Sequence, residues 1–368
     1  MNMEKAKLSV IQLFAMMFMF EMGTSLVVSY GIGAKKDAWL AILLGTFSGI
    51  VLFFIYYRLF RQYPTLPLTG YTQKIVGKYL GWFIGVLYII YFLYITSRQV
   101  RDFSELLVSS TMTETPLLAI HISFVLVICY VLYLGIEVLG RTAEVFIIIL
   151  LLFGIAANFF ILVSGSINLN HLRPFLEDGW KPIIHTAGFD ITSHPFGELI
   201  VFTMILPYLN KPGSVKKVWL TALLAGGIVL SWTASINIAV LGVDVMERTT
   251  FPTLTTIGKV NLLEFIQRLD AIVVFTLFIT VFFKASIFLY VTVISVVDLF
   301  KLNNHQQILF PVGGIIVFSS MMIASNFSEY MEEARNVLRY YHPLFFFIIP
   351  LILLIIATVR NRLKNKLN

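Results

Sequence analysis

Long apolar stretches, separated by short polar connections, constrain this sequence more than any other feature. A transmembrane helix needs about 20 predominantly apolar residues. Ten stretches approach or exceed that length: residues 8–31, 38–58, 81–108, 117–135, 142–164, 183–209, 215–241, 269–299, 308–325 and 343–361. Because lipid offers no partners for backbone polar groups, such stretches favour helices, which satisfy those groups internally. The sequence therefore predicts an all-α integral membrane protein with ten transmembrane helices.

The composition agrees with membrane insertion and excludes several classes of soluble protein. Hydrophobic residues make up 58% of the 368 residues and charged residues 13%, against about 25% charged residues in soluble domains. The net charge of +7 resides mostly in short connections, so it does not indicate nucleic-acid binding. The single cysteine, Cys129, excludes an intrachain disulfide and a cysteine-based metal cluster. Motifs of metalloproteases, P-loop enzymes and serine hydrolases are missing, so we expect no enzymatic activity, cofactor or bound metal.

Basic residues predict the orientation of the chain in the membrane. With both termini on one side, fifteen Lys and Arg residues lie on that side and nine on the other, while Arg98, Arg101 and Lys284 fall inside predicted spans. Because basic residues concentrate in cytoplasmic loops, both termini are predicted to be cytoplasmic. The longest connection, 242–268, is predicted to include an amphipathic helix lying over one face of the bundle.

Two of the ten predicted spans are interrupted, at matching positions of the two halves. The first contains EMGTSLVVSYGIG (21–33) and the sixth contains SHPFGE (193–198). Such pairs are typical of transporters built as inverted repeats. We therefore predict one transmembrane domain over 1–368, with a 5+5 inverted repeat of about 8–164 and 183–361 and with helices 1 and 6 broken. The alternative is coincidence, since Gly and Pro are common in transmembrane helices.

The residues at the interruptions suggest what each could bind. Pro195 cannot donate a backbone hydrogen bond, and Gly197 permits a close backbone approach. Gly23, Thr24 and Ser25 provide the same backbone freedom in the first span and add two hydroxyl groups. An opened helix exposes N–H groups that suit a carboxylate and carbonyls that suit an ammonium or a cation. Together the interruptions would suit a zwitterion such as an α-amino acid; the alternative is a pair of structural kinks.

Three charged residues lie deep within predicted spans. Glu21 and Glu198 stand beside the interruptions, where a carboxylate is either functional or bonded to freed backbone. Lys284 lies some fourteen residues from either end of the eighth predicted span, about 20 Å by helix rise, which is too far for its side chain to reach the interface. Its ammonium could occupy the place of a coupling cation, or form a structural ion pair with Glu21 or Glu198.

The third predicted span carries polar residues at three- and four-residue spacing, which places them on one face. Arg98 with Asp102 and Arg101 with Glu105 are predicted i,i+4 pairs near its outer end. Tyr94 lies deeper and is a candidate to close one side of a ligand pocket. Tyr290, in the eighth span, is a further candidate for this role.

FEMGTSLVV in the first span, HPFGELIVF in the sixth and the ten-span plan together resemble the B subunits of bacterial spore germinant receptors. This family belongs to the amino acid–polyamine–organocation superfamily, and the resemblance covers essentially the whole chain. It implies a LeuT-like fold, residence in the spore inner membrane, and a complex with an A subunit and a lipoprotein C subunit. By motif, the ligand-lining residues would be Gly23, Thr24, Ser25 and Leu26 in the first span and Phe196, Gly197, Glu198 and Leu199 in the sixth.

Two functions are compatible with this sequence. The chain is predicted to be a nutrient-sensing receptor subunit that binds a small germinant, such as an amino acid, and signals to its partner subunits. The alternative is an amino acid/cation symporter. Both hypotheses place ligand at the interrupted spans, so uptake into liposomes would distinguish them, whereas binding would not.

Overall fold

A computed structural model of the chain describes residues 7–28, 30–260 and 269–367. Fourteen α-helices occur within these residues: α1 (Val10–Met22), α2 (Ala38–Gln62), α3 (Leu68–Val76), α4 (Lys78–Ser110), α5 (Leu117–Tyr133), α6 (Ile136–Val163), α7 (Trp180–His185), α8 (Val215–Leu241), α9 (Val243–Arg248), α10 (Pro252–Gly258), α11 (Asp270–Phe300), α12 (Gln306–Met322), α13 (Phe327–Tyr340) and α14 (Ile349–Leu367). Two π-helical segments, Thr186–Phe196 and Leu344–Ile348, and several short 3₁₀ segments connect them.

Six helical stretches in the described residues are long and apolar enough to cross a membrane. They are Ile32–Gln62, Lys78–Ser110, Ile136–Val163, Pro212–Leu241, Asp270–Phe300 and Leu344–Leu363. The apolar helices α1, α5 and α12 are shorter. The sixth predicted span, 183–209, is a succession of α-, π- and 3₁₀-helical segments. The chain is thus a multi-pass helical membrane protein, while the count of ten spans stays a prediction.

The fifth predicted span begins earlier than its apolar pattern indicated. We predicted a start at residue 142, but α6 begins at Ile136. Gly135 precedes it with φ 104°, a conformation that suits glycine and ends the previous segment. Glu137 and Arg141 therefore lie inside the first turns of the helix as an i,i+4 pair, 3.6 Å apart.

The centre of the bundle is formed by α1, α11 and the sixth predicted span. Most residues of α11 between Val273 and Leu299 are buried, and it packs mainly against α4, α1 and α6. In contrast, α6 exposes large apolar side chains such as Ile148, Ile155 and Leu162, as expected of a lipid-facing helix. Polar groups placed on α11 are therefore enclosed by protein on nearly all sides.

The beginning of α1 is joined to the end of the sixth predicted span. Ser9 caps α1 through a reciprocal capping box with Gln12. Just before it, the N–H of Leu8 donates to the Tyr208 carbonyl at 2.9 Å, and the N–H of Asn210 donates to the Leu8 carbonyl at 3.0 Å. These bonds tie the two interrupted segments together at one end.

The connection 242–268 contains two short helices, α9 and α10, in its described part. Thr253 of α10 donates a hydrogen bond to the Leu26 carbonyl at 2.8 Å, and Thr256 donates to Asn237 of α8 at 2.9 Å. This part of the connection is thus fastened to the bundle. Residues 261–268 of the predicted amphipathic helix lie outside the described residues.

Candidate functional site

The first predicted span changes conformation at Gly23. The helix α1 ends at Met22, and Gly23 adopts φ 31° and ψ −132°, which lies outside helical geometry. The residues that follow form turns as far as Val27. Thr280 of α11 donates a hydrogen bond to the Gly23 carbonyl at 2.8 Å. In a continuous helix, a backbone N–H would donate to this carbonyl. Here the buried Thr280 hydroxyl donates in its place.

The sixth predicted span changes conformation at His194. This residue has φ −137° and ψ 123°, an extended conformation at the end of the π-helical segment, which agrees with the restriction that Pro195 imposes on its predecessor. The Tyr30 hydroxyl donates to the Ile191 carbonyl at 3.2 Å and also contacts the His194 carbonyl. Tyr30 follows the first interruption, so the two interrupted segments meet here.

Glu198, His194 and Lys284 form a buried polar triad beside these two segments. Nζ of Lys284 lies 2.7 Å from Oε2 of Glu198, and Nδ1 of His194 lies 2.9 Å from the same oxygen. The Lys284 side chain is 0% exposed and that of Glu198 is 1% exposed. The Lys284 ammonium also lies 3.3 Å from Nδ1 and 3.4 Å from Nε2 of His194. The triad joins the sixth predicted span to α11.

The two ring nitrogens of His194 face different partners. Nδ1 lies 2.9 Å from Oε2 of Glu198, and a ring with its proton on Nδ1 has Nε2 as an acceptor. The Thr24 hydroxyl lies 3.4 Å from Nε2 and can donate to it. The first interruption is therefore linked by Thr24 and His194 to the charge of Glu198.

Lys284 also packs directly on the first interruption. A Cβ built on Gly23 would lie 2.5 Å from Cδ of Lys284. The lysine side chain therefore occupies the space that a side chain at position 23 would need. Its ammonium lies 5.3 Å from the ring centroid of Phe20, within the range of a cation–π contact. Of the two ion pairs that the sequence allowed for Lys284, the structure has the one with Glu198.

Gly197 lies in close contact with the start of the last span. A Cβ built at Gly197 would lie 2.7 Å from Cγ of Phe346 and 2.8 Å from the Thr192 carbonyl oxygen. The Tyr56 hydroxyl lies 2.5 Å from the Phe346 carbonyl and 3.4 Å from the Gly197 carbonyl. The glycine predicted to allow close backbone approach is therefore at a crowded contact among α2, the sixth predicted span and Leu344–Ile348.

The other ligand-lining residues predicted by motif are buried, apart from Leu26, which is half-buried. Ser25 is buried, and within the described residues its hydroxyl has no hydrogen-bond partner. Phe196 is buried against Gly49 of α2, and Leu199 is fully buried. Tyr290 is buried with its ring centroid 6.3 Å from that of Tyr208. Their assignment as ligand contacts stays a prediction.

Tyr94 belongs to a second polar cluster, between α4 and α13. Its hydroxyl and the Arg98 guanidinium both contact the Glu333 carboxylate. The Tyr330 hydroxyl donates to Asp102 at 2.5 Å, and the Arg98 guanidinium lies 4.3 Å from the centroid of the Tyr330 ring. Arg98 thus forms an ion pair with Glu333, a partner far away in sequence, although its spacing had suggested Asp102. The predicted pair of Arg101 with Glu105 is present, at 2.7 Å.

One member of the triad and two residues beside it were not singled out from the sequence. His194 precedes Pro195 and lies four residues before Glu198, a spacing that could have identified it. Thr280 lies one helical turn before Lys284, on the same face of α11. Tyr30 had no comparable signal, because its partners are backbone carbonyls some 160 positions away.

A separate polar cavity of about 290 Å³ is lined by residues of the segment Ile32–Asp37, of α9 and of the loop before α7. Lys35 forms an ion pair with Asp178 at 2.9 Å. The hydrogen bond and the charge of Asp178 raise the pKa of Lys35 above its ordinary value. Because both side chains are about half exposed, this ion pair contributes little to the free energy of folding.

The fold and the buried triad define the class of protein: a multi-pass helical membrane protein with a transporter architecture. Two solved transporters share the fold. One is a closed form of the nucleobase-cation-symport-1 family transporter Mhp1 with bromovinylhydantoin bound, at TM-score 0.65 and 14% identity, covering 90% of this chain and 76% of that one. The other is MhsT in complex with L-phenylalanine, at TM-score 0.67 and 13% identity, covering 96% and 99%.

Sequence comparison defines the family more narrowly. Residues 7–328 match the family described as spore germination protein. Spore germination protein KB of Bacillus subtilis (strain 168) is 39% identical over 365 residues, which cover 99% of this chain and 98% of that protein. Spore germination protein A2 of the same organism is 26% identical over 90% of this chain and 88% of its own length. The chain belongs to the spore germination protein family, and the resemblance drawn from the sequence, including the LeuT-like fold, is confirmed.

Proposed function

We propose that the chain is the nutrient-sensing B subunit of a spore germinant receptor in the spore inner membrane, with both termini cytoplasmic. In this proposal it binds a small germinant, such as an amino acid, and signals to an A subunit and a lipoprotein C subunit. Support comes from the family and from its relatives, which carry the name spore germination protein. The transporter fold of the solved neighbours further favours a role in recognising small molecules over an enzymatic role.

The observation that carries the proposed ligand site is the triad of Glu198, His194 and Lys284 next to Gly23 and Thr24. We propose that these segments are the broken first and sixth helices of a 5+5 inverted repeat. Transporters with this plan bind substrate at such breaks. The proposed first-span contacts are Gly23, Thr24, Ser25 and Leu26. The proposed sixth-span contacts are Phe196, Gly197, Glu198 and Leu199. Tyr94 and Tyr290 are proposed to close one side of the ligand pocket.

A zwitterion is the ligand that best matches the charges of the triad. An amino acid carries an ammonium, which suits Glu198, and a carboxylate, which suits Lys284. Such a ligand would exchange the 2.7 Å ion pair for two new pairs, so the buried charges stay compensated. L-Phenylalanine, the ligand of the neighbour MhsT, is an amino acid. Binding would alter the state of the receptor only to the extent that its two conformations differ in affinity.

The alternative function is an amino acid/cation symporter. The solved neighbour Mhp1 is described as a nucleobase-cation-symport-1 family transporter, and Lys284 and Glu21 are buried titratable groups that symport could use. In the symporter, the Lys284 ammonium would take the place of a coupling cation and its protonation would change with conformation. In the receptor, the same ammonium would keep its ion pair with Glu198 and so hold α11 against the sixth predicted span.

The experiment that tests the proposal combines germination with uptake. Spores whose own copy of this gene is deleted are supplied with the wild-type gene or with none, then exposed to single L-amino acids. We expect at least one amino acid to trigger germination only in spores with the gene. The purified chain in liposomes should not accumulate that radiolabelled amino acid. Accumulation would favour the symporter, and full germination of the deleted spores with every amino acid that triggers wild-type spores would contradict the receptor proposal.

A further inference from the structure

Glu21 is a fully buried carboxyl group at the end of α1. Within the part of the chain that the structure describes, neither of its side-chain oxygens has a hydrogen-bond partner. An isolated ionised carboxylate in an apolar interior is very costly, and such a group is normally paired or neutralised. Glu21 lies only two residues before Gly23. The group that neutralises its charge therefore lies close to the proposed ligand site.

Glu21 points towards α8, where two adjacent glycines make room for side chains from other helices. A Cβ built at Gly226 would lie 1.8 Å from Oε2 of Glu21, and one built at Gly227 would lie 2.2 Å from Oγ1 of Thr46. The Thr46 hydroxyl donates to the Ile42 carbonyl of its own helix at 2.8 Å. Its proton is therefore already used, and Thr46 does not neutralise Glu21.

Lys284 lies on a different side of α1. Phe20 contacts Lys284, Phe202 and Phe288, which places it towards α11 and the sixth predicted span. Consecutive residues in an α-helix are turned by about 100° from each other, which takes Glu21 away from that side. The Lys284 ammonium lies 2.7 Å from Glu198, so its charge is matched there.

The elements packed closely against α1 offer Glu21 few other titratable groups. Helix α8 has none between Lys217 and Leu241. Those of the first turns of α6, which include Glu144 near Ser9, lie at the opposite end of α1. Beyond the first interruption, the Tyr30 hydroxyl donates to carbonyls of the sixth predicted span. The remaining groups on the central elements are His185, Asp190, His194, Glu198, Tyr208, Asp270, Lys284, Tyr290 and Asp298.

We infer that Glu21 is a proton-binding site at the interface of α1 and α8. Neither oxygen of Glu21 has a partner in the described residues, and the carboxyl group belongs to no cluster of three or more acidic, His or Cys side chains there. A proton requires one oxygen. The bound proton leaves a neutral carboxyl group against the apolar face of α8, and exposure of this interface to water favours its release. Proton binding therefore favours the packed arrangement of α1 on α8.

Infrared spectroscopy of the purified chain tests this inference without reference to germination. A protonated carboxyl group absorbs apart from a carboxylate, so the spectrum of wild type minus Glu21→Gln should contain a protonated-carboxyl band at neutral pH. The same variant should unfold at nearly the wild-type temperature, because a neutral amide replaces a neutral carboxyl group. Carboxylate bands in place of that band, or a sodium-dependent melting temperature that Glu21→Gln abolishes, would overturn the inference. If Glu21→Gln does not purify, Glu21→Asp should shift the band.

The two neighbouring glycines provide a matched control for the contact itself. Gly226→Ala should lower the melting temperature, and adding Glu21→Ala should restore most of it, since it removes the two nearest atoms to the built Cβ, at 1.8 and 3.0 Å, and leaves Cβ of residue 21 at 3.3 Å. Gly227→Ala should also destabilise the chain, but Glu21→Ala should not rescue it because its clash is with Thr46. Equal rescue of both glycine variants, or of neither, would show that Glu21 does not fill the space at Gly226.

Discussion

Lys284 and Glu198 form a buried ion pair, with Nζ of the lysine 2.7 Å from Oε2 of the glutamate. The pair connects α11 to the sixth predicted span at the place where the first span also changes conformation. Removing one partner of such a pair leaves an uncompensated charge, whereas removing both leaves none. The pair therefore joins α11 to the sixth predicted span, while the Lys284 side chain packs against Gly23 of the first.

Lys284→Met and Glu198→Gln should each destabilise the chain, by about 3–5 kcal/mol, because each leaves a buried charge unpaired. The double variant should be more stable than the sum of the two losses predicts. Thermal unfolding of the purified variants in detergent measures this coupling. Additive losses would mean that the two side chains do not interact.

Gly197→Ala should destabilise the chain and weaken its nutrient response, because the added methyl group meets Phe346 and the Thr192 carbonyl. Gly188→Ala is the matched control. Gly188 lies in the preceding π-helical segment, and a Cβ built there meets nothing within 4 Å. Membrane level, melting temperature and germination dose-response are compared for the two variants. Similar behaviour of both would contradict a role for the close contact at Gly197.

Thr280→Val should remove the side-chain hydrogen bond to the Gly23 carbonyl, at a cost of about 1–3 kcal/mol for leaving that carbonyl unsatisfied. The control is Thr292→Val, since Thr292 is equally buried in α11 but donates only to Phe288 of its own helix. Thermal unfolding should show a larger loss for Thr280→Val. In addition, amide hydrogen exchange should accelerate around residues 23–27 in that variant alone.

Glu333→Gln should loosen α13, because it weakens the ion pair with Arg98 of α4. We expect faster hydrogen exchange of α13 in this variant and little change in α12. Glu332→Gln is the control, because Glu332 is exposed on the same helix. Exchange rates that rise equally in both variants would indicate a general effect of charge on α13 rather than the loss of one contact.

Much of the helical plan could be predicted from the sequence, because apolar stretches of sufficient length are a strong signal. The predicted span 215–241 matches α8 residue for residue, and 269–299 differs from α11 by one residue at each end. Gly and Pro change backbone freedom locally, and the first and sixth predicted spans change conformation beside these residues, at Gly23 and at His194 before Pro195. The start of α6 was missed because charged residues in its first turns looked like a connection.

Partners that are distant in sequence could not be predicted. Lys284 had two candidate carboxylates, and only the packing of α1 and α11 shows that Glu198 is its partner and that Glu21 faces α8. Arg98 illustrates the same limit, because local spacing suggested Asp102 while its ion pair forms with Glu333 in α13. Helical periodicity assigns residues to faces, but it does not say which helix each face meets.

The most direct test of the proposed ligand site is a calorimetric titration of the purified chain in lipid nanodiscs. Single L-amino acids from a panel are added, and the affinity of each is measured. We expect at least one of them to bind to the wild-type chain. Binding should be lost or weakened at least tenfold in Thr24→Val and in Glu198→Gln, which remove contacts on the two sides of the site. Glu332→Gln should bind as the wild type does. Unchanged affinity in both site variants, with each shown to be folded by its melting transition, would contradict a ligand site at the interrupted spans.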